Sequence, residues 1–159
     1  MATEQKVEQR WETPSADEIP AISAQHAAFL ESTDDEAAWV IAGMHHVIVH
    51  TVGRRSGTAH KVVLPFWRDP EGCRVVVASF AGADRHPAWF LNLRDREANP
   101  EVRCQVREGE YWSVAEVLEG DERDRVFALL LEDRAWYADY QARTERIIPL
   151  VRLPETRQS

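Results

Sequence analysis

The residues best suited to hold an anion are Gly53-Arg54-Arg55-Ser56-Gly57. The glycines let the chain turn with its N–H groups exposed, Ser56 adds a hydroxyl, and each guanidinium can fork two hydrogen bonds onto a phosphate or carboxylate. Taken alone, these residues read equally well as a solvated hairpin turn. The loop is no Walker motif, since GxxxxGK[ST] is absent, and no GxGxxG occurs in the chain. A second group, Ala78-Ser79-Phe80-Ala81-Gly82-Ala83-Asp84-Arg85-His86-Pro87, leads from a strand end into a helix start. Its small side chains admit a flat ring to the backbone, and helix N-terminal amides can bond the ring's oxygens. Tight packing of a strand-to-helix connection is the plainer alternative. Third, Tyr137 and Tyr140 share a helical face, where two phenols could serve as hydrogen-bond donors or proton relays, though core or rim positions are commoner for such residues.

Other chemistries find little support. His46 and His50 fall on one strand face, but no HExxH or carboxylate partner accompanies them, so no metal is expected. There is no GxSxG elbow and no Ser/His/Asp order. Cys73 and Cys104 are isolated thiols, which suggests neither a zinc site nor a disulfide and fits a reducing cytoplasm. No basic-then-apolar leader opens the sequence and no apolar run approaches the roughly 20 residues of a membrane helix, so neither export nor a span is expected.

The 159 residues carry a net charge of −8, unevenly distributed. Residues 1–36 hold nine acids against Lys6 and Arg10, whereas residues 37–68 hold no acid and contain Arg54, Arg55, Lys61 and Arg68. A local basic stretch in an acidic protein suits a small anion better than nucleic acid or a membrane surface, both of which favour a broad basic face. Chance clustering is the bland alternative.

The elements that must position these groups follow from periodicity. A capping box at Ser15 to Glu18 opens a helix near 16–31, after a frayed first dozen residues. Three β-rich runs, His45 to Val52, His60 to Trp67 and Cys73 to Phe80, read as an antiparallel meander, with Pro65 marking an edge or a bulge. Asp84 and Pro87 open a short helix that ends before Asn99-Pro100. Strands Glu101 to Arg107 and Tyr111 to Leu118 flank a Glu108-Gly109 turn. Asp121 caps a helix, Trp136 to Thr144 continues helical, and Ile147 to Leu153 is a last strand. The order describes an α+β domain whose mostly antiparallel sheet can close on itself. Residues 1–40 are expected to form an acidic extension with a short helix, and 41–159 the main domain.

Taken together, TVGRRSG, ASFAGADRHPAWFLNL, ANPEV and YADYQARTERIIPLVRL, in that order, resemble the deazaflavin-dependent nitroreductase and quinone-reductase family, which uses coenzyme F420. The resemblance spans about 40 to 153 and is specific through the order of its motifs. It implies a split β-barrel like that of flavin-binding pyridoxamine-phosphate-oxidase relatives. It also implies hydride transfer from reduced F420 to a quinone-like or nitroaromatic acceptor. Carried over, Arg54, Arg55 and Ser56 would hold the phosphate and polyglutamyl tail, with His60 and Lys61 adding positive charge. The segments Val62, Val63, Leu64, Pro65 and Phe66, then Val77, Ala78, Ser79, Phe80 and Gly82, and then Ala88, Trp89, Phe90, Leu91 and Asn92 would shape the cofactor groove. Ser79 is the matched hydroxyl near the ring, Tyr137 and Tyr140 match tyrosines of the substrate pocket, with Tyr137 the one to contact both ligand and cofactor, and these three are the catalytic residues the resemblance implies.

Departures are equally specific. Phe80-Ala81-Gly82 stands where the family commonly carries a Lys followed by a pair of glycines, so one tail-binding cation is lost, and Arg134 stands where nitroimidazole-reducing relatives carry a further tyrosine. Some relatives associate with membranes through their first residues, but the acidic segment here argues against that. Use of FMN in place of F420, and a non-catalytic F420-binding or storage role, remain the alternatives. Both monomer and homodimer are compatible with the sequence.

Overall fold

The computed structural model describes residues 5–159. In chain order the elements are α1 (Ile19–Ser32), β1 (Val40–Ile41), β2 (Met44–Val52), β3 (Ala59–Pro65), β4 (Trp67–Arg68), β5 (Arg74–Val77) and α2 (Ala88–Arg94). They continue with β6 (Val102–Val106), β7 (Gly109–Ser113), β8 (Glu116–Val117), α3 (Gly120–Asp133), α4 (Trp136–Ala142), β9 (Leu150–Arg152) and β10 (Arg157–Gln158). The strands form two antiparallel sheets. One runs β1-β2-β6-β7-β10 with β3 also on β2, and the other runs β4-β5-β9-β8. This is the expected α+β split-barrel architecture, built as two ladders rather than one continuous closed one.

The nine-residue β2 shows why the ladder holds. Val47 and Val49 enter the main core with Val76, Val151 and Leu153, while Ile48 faces the other way and packs with Ala27 and Leu30 of α1. A third cluster joins α3 and α4 to the smaller sheet through Leu130, Trp136, Ile148 and Leu150.

Several strand limits differ from the periodicity. The second run breaks after Pro65, which lacks an N–H. Phe66 N–H still bonds His45 O at 2.9 Å, and Trp67–Arg68 then joins the other sheet. The third run ends at Val77, beyond which a turn begins. The run from Tyr111 splits between the sheets after Ser113. The hairpin turn is Arg107-Glu108, since Gly109 already pairs with Val106. The helix expected from Asp84 begins at Ala88 with Pro87 as its N-cap.

At the N-terminus, Glu18 accepts from the Ser15 N–H and hydroxyl, so the capping pair is one-sided and α1 starts at Ile19. Helix α1 covers the open edge of β3: Ser23 Oγ accepts from Val63 N–H at 2.9 Å, which protects an edge strand. Residues 5–12, expected to fray, instead run extended, with Gln5, Val7, Gln9 and Trp11, and then Thr13, alternately turned inward. Val7 N–H bonds Asp133 O at 2.9 Å, and Arg134 Nε donates to Gln5 O at 3.0 Å. No helix among the described residues is long and apolar enough to cross a membrane.

Candidate functional site

A cavity of about 870 Å³ opens between α1, β3, α2, α4 and the turn after β5. Its size is that of a small-molecule or cofactor pocket. Three of the sequence groups meet here. Strand β3 contributes His60, Lys61, Val62, Val63, Leu64 and Pro65; the end of β5 contributes Val77 and the segment after it Ser79 and Phe80; α2 contributes Ala88, Trp89, Leu91 and Asn92. Tyr137 and Tyr140 of α4 complete the wall. Phe66, Ala78 and Phe90 do not reach it, being buried in the main core, and Gly82 lies behind the turn against α4.

Among the described residues, this turn is the one place where two consecutive non-glycine residues have positive φ. Ser79 is right-handed (φ −75°, ψ −37°), and Phe80, Ala81 and Gly82 follow with φ of +47°, +57° and +81°. For the two non-glycine residues this conformation costs about 1–2 kcal/mol each, a cost that usually marks a functional constraint. Arg146 holds it: Nε donates to Ala83 O (2.7 Å), Nη2 to Ser79 O (2.8 Å), and Nη1 to Ala78 O (3.2 Å) and His86 Nδ1 (3.0 Å). Because a guanidinium only donates, His86 Nδ1 must be an acceptor. Burial, with Arg146 and Arg94 nearby, keeps that imidazole's pKa below its ordinary value. A right-handed residue followed by a left-handed one aims successive N–H groups into one concavity suited to electronegative atoms. The N–H groups of Ser79, Phe80 and Ala81 find no acceptor among the described residues, and all three residues line the cavity. The sequence suggested helix N-terminal amides at this place; a left-handed turn supplies them instead.

The arginine loop closes the β2–β3 hairpin, with Gly53 N–H bonding Thr58 O at 2.8 Å. Arg54, Arg55 and Ser56 are not among the residues that line the cavity; Arg54 is tied to its wall through Asn92, whose Oδ1 accepts from the Arg54 N–H (3.2 Å) and Nη1 (2.8 Å). Arg55 and Ser56 are exposed on the turn, and Ser56 Oγ accepts from Thr58 N–H. Among the described residues no acid pairs with Arg54 or Arg55. Lys61 differs: its Nζ contacts Glu31 Oε1 of α1 at 2.5 Å. Arg85, another cation in the wall, faces Asp17 at 3.4 Å.

At the opposite end four aromatic rings follow one another: Trp11 meets Trp136 at 5.0 Å, Trp136 meets Tyr137 at 5.2 Å, and Tyr137 meets Tyr140 at 5.8 Å. The phenols are not equivalent. Tyr140 Oη is engaged by Thr13 Oγ1 at 3.1 Å and Gln9 Nε2 at 3.4 Å, so it is tied to the N-terminal segment. Tyr137 has the Trp136 indole, a donor only, beside its hydroxyl, which leaves the phenol proton available. Burial pushes its pKa up to about 12, with the Arg134 guanidinium acting in the opposite direction. Arg134 itself bonds Gln5 O and Phe66 O and does not line the cavity.

His46 and His26 form a further edge-to-face pair at 5.1 Å in the same wall. His46 Nδ1 bonds Met44 O at 2.9 Å. Burial is the main cause that pushes its pKa from an ordinary 6.5 to about 4, with Arg134 and the other two nearby histidines adding to the shift and the Met44 bond opposing it. The imidazole is therefore neutral in the fold and protonates more readily unfolded. Its contribution to stability is intact above pH 6.5 and falls by about 3 kcal/mol as pH drops to 4. His46→Gln is expected to lose correspondingly less stability than the wild type between pH 7 and pH 4.5 in denaturant titrations. Equal losses in both proteins would refute the assignment.

Trp11, Pro14, His26 and Arg146 were not marked as site residues by the sequence. The one available signal was a tryptophan in an otherwise polar segment. No group of three or more His, Cys, Asp or Glu side chains suited to a metal occurs among the described residues.

Comparison with known proteins gives consistent results. A family model described as F420H(2)-dependent quinone reductase matches residues 23–155. Over 130 residues the chain is 30% identical to an F420H(2)-dependent quinone reductase of Mycobacterium tuberculosis, covering 79% of this chain and 85% of that protein. A solved structure described as an F420-H2 dependent reductase (FDR-A) is 34% identical, with a TM-score of 0.57 over 69% of this chain and 93% of that one. Another, described as a domain-swapped dimer, is 31% identical, with a TM-score of 0.58 over 82% and 95%.

Proposed function

The chain belongs to the F420H(2)-dependent quinone reductase family, and from that premise we propose that it binds reduced F420 in the cavity and reduces a small quinone-like acceptor there. The observation that carries this reading is the left-handed turn at Ser79, Phe80 and Ala81, whose three amides have no acceptor among the described residues. Ring carbonyls of a deazaflavin suit such donors. Arg54 and Arg55, beside Asn92 of the wall and with no acid paired to them among the described residues, suit its phosphate and glutamates. When bound, the reduced deazaflavin supplies a hydride.

The protein's part is positional and electrostatic. The turn amides fix the ring plane, Trp89 and Leu91 of α2 keep water from one side, and Asn92 holds Arg54 toward the tail. At the other end, Tyr137 donates its hydroxyl proton in a hydrogen bond to the acceptor oxygen, where negative charge grows as the hydride arrives. Ser79, with its hydroxyl in the wall, is the second polar contact near the ring. Tyr140 is a positioning residue, because Thr13 and Gln9 occupy its hydroxyl. A nitroaromatic acceptor would use the same cavity, but with Arg134 turned away to Gln5 and Phe66 there is no third phenol to meet it.

Quenching of tryptophan fluorescence by F420 and by FMN tests the cofactor. F420 is expected to bind more tightly, since FMN lacks the glutamates; tighter binding of FMN would transfer the site to it. Arg55→Ala should weaken F420 binding about fivefold at low ionic strength, with the difference closing as salt rises. Identical affinity and salt dependence in the mutant would remove the loop from the tail site. F420 binding without oxidation of its reduced form by menadione would indicate storage.

A further inference from the structure

We propose that the extended segment 7–14 is an acceptor-selecting element, with Trp11 as the wall that makes this site prefer flat fused-ring quinones over single-ring ones. The inference rests on the reading of the cavity as an F420 site and deepens it. Trp11 and Pro14 line the cavity, yet both precede residue 23, where the family match begins. The segment is pinned at both ends. Val7 N–H bonds Asp133 O, and Thr13 with Gln9 bonds the Tyr140 hydroxyl, so Trp11 is held between two anchors on α3 and α4. Its ring meets Trp136 edge-on at 5.0 Å and thereby extends the row of rings that carries Tyr137.

The chemistry of that row selects its ligand. Indole and phenol faces are electron-rich and quinone rings electron-poor, so stacked or edge contacts between them are favourable and grow with the ring area presented. Trp11 adds area without adding a charge, and the Tyr137 hydroxyl remains the polar point of this end. A fused bicyclic quinone reaches Trp11 while its oxygen lies at Tyr137; a single ring at the same oxygen gains less from that wall. The consequence falls on acceptor binding and not on the cofactor, because neither Trp11 nor Pro14 belongs to the turn or to the arginine loop.

The test compares menadione with benzoquinone under saturating reduced F420. For Trp11→Ala, the menadione KM should rise about tenfold with kcat little changed, and the benzoquinone KM should move less than threefold. The F420 Kd should stay at the wild-type value. Trp11→Phe should restore most of the menadione preference and Trp11→Leu should not, a pair that keeps the test decisive if the alanine variant fails to fold. Parallel changes for both quinones, or a wild-type ratio in Trp11→Leu, would overturn the inference while leaving the F420 reading intact. Failure of the wild-type protein to bind F420 or to oxidise its reduced form with menadione would end both.

Discussion

Gly82→Ala is expected to cost about 3 kcal/mol of stability and to remove F420 binding. Two terms add. At φ +81° an alanine pays the left-handed penalty of about 1–2 kcal/mol. Its Cβ would also lie 2.7 Å from the Tyr140 carbonyl oxygen and 3.0 Å from Arg143 Cδ. The nearest atom is backbone of α4, so the turn or the helix must move, and overpacking of this kind costs about 1–3 kcal/mol. Either shift disturbs the amides of Ser79, Phe80 and Ala81. Gly72→Ala is the control: φ is also positive at +85°, but nothing lies within 4 Å of its Cβ and it does not line the cavity, so the backbone penalty alone applies. Denaturant midpoints and tryptophan quenching by F420 report the two quantities. A Gly82→Ala protein with the stability and affinity of Gly72→Ala would disprove the coupling between turn and helix.

Tyr137→Phe should slow hydride transfer to quinones about a hundredfold in single turnover while leaving F420 affinity near that of the wild type, the scale expected when one donor to a developing oxyanion is lost. Tyr140→Phe should do far less, since its hydroxyl faces Thr13 and Gln9. With a pKa of about 12, Tyr137 stays protonated across the neutral range, so it should add no pH dependence to the rate between pH 6 and 9. An unchanged hydride-transfer rate across several acceptors would exclude Tyr137 from the chemistry.

What could be read from the sequence was local. The β-rich run of His45 to Val52, the proline that ends β3, the hairpin of glycines and arginines, and the three-residue spacing of the two tyrosines all express short-range rules. The left-handed pair Phe80-Ala81 could not be read, because neither residue favours that conformation and what enforces it is Arg146, more than sixty residues away in the chain. The same holds for Lys61, whose partner Glu31 lies on a helix that looked like an appendage. Residues 5–12 read as part of a frayed end, yet their inward positions are every second residue, a pattern that registers only once the surface of α3 and α4 exists to receive it. The distinction between Tyr137 and Tyr140 depends on Thr13 and Gln9 and was equally beyond periodicity.

The contacts of Lys61 with Glu31 and of Arg85 with Asp17 make the acidic N-terminal region a tethered ion exchanger. An anion arriving at either cation would release a carboxylate that remains attached to the protein, whereas at Arg55, with no acid beside it among the described residues, it would displace only dissolved ions. The tethered competitor keeps a fixed local concentration whatever the buffer contains. One polyanion bound along this rim would therefore meet two regimes: a salt-sensitive grip at the hairpin, and at the helix a grip governed by how readily its own carboxylates replace those of the chain.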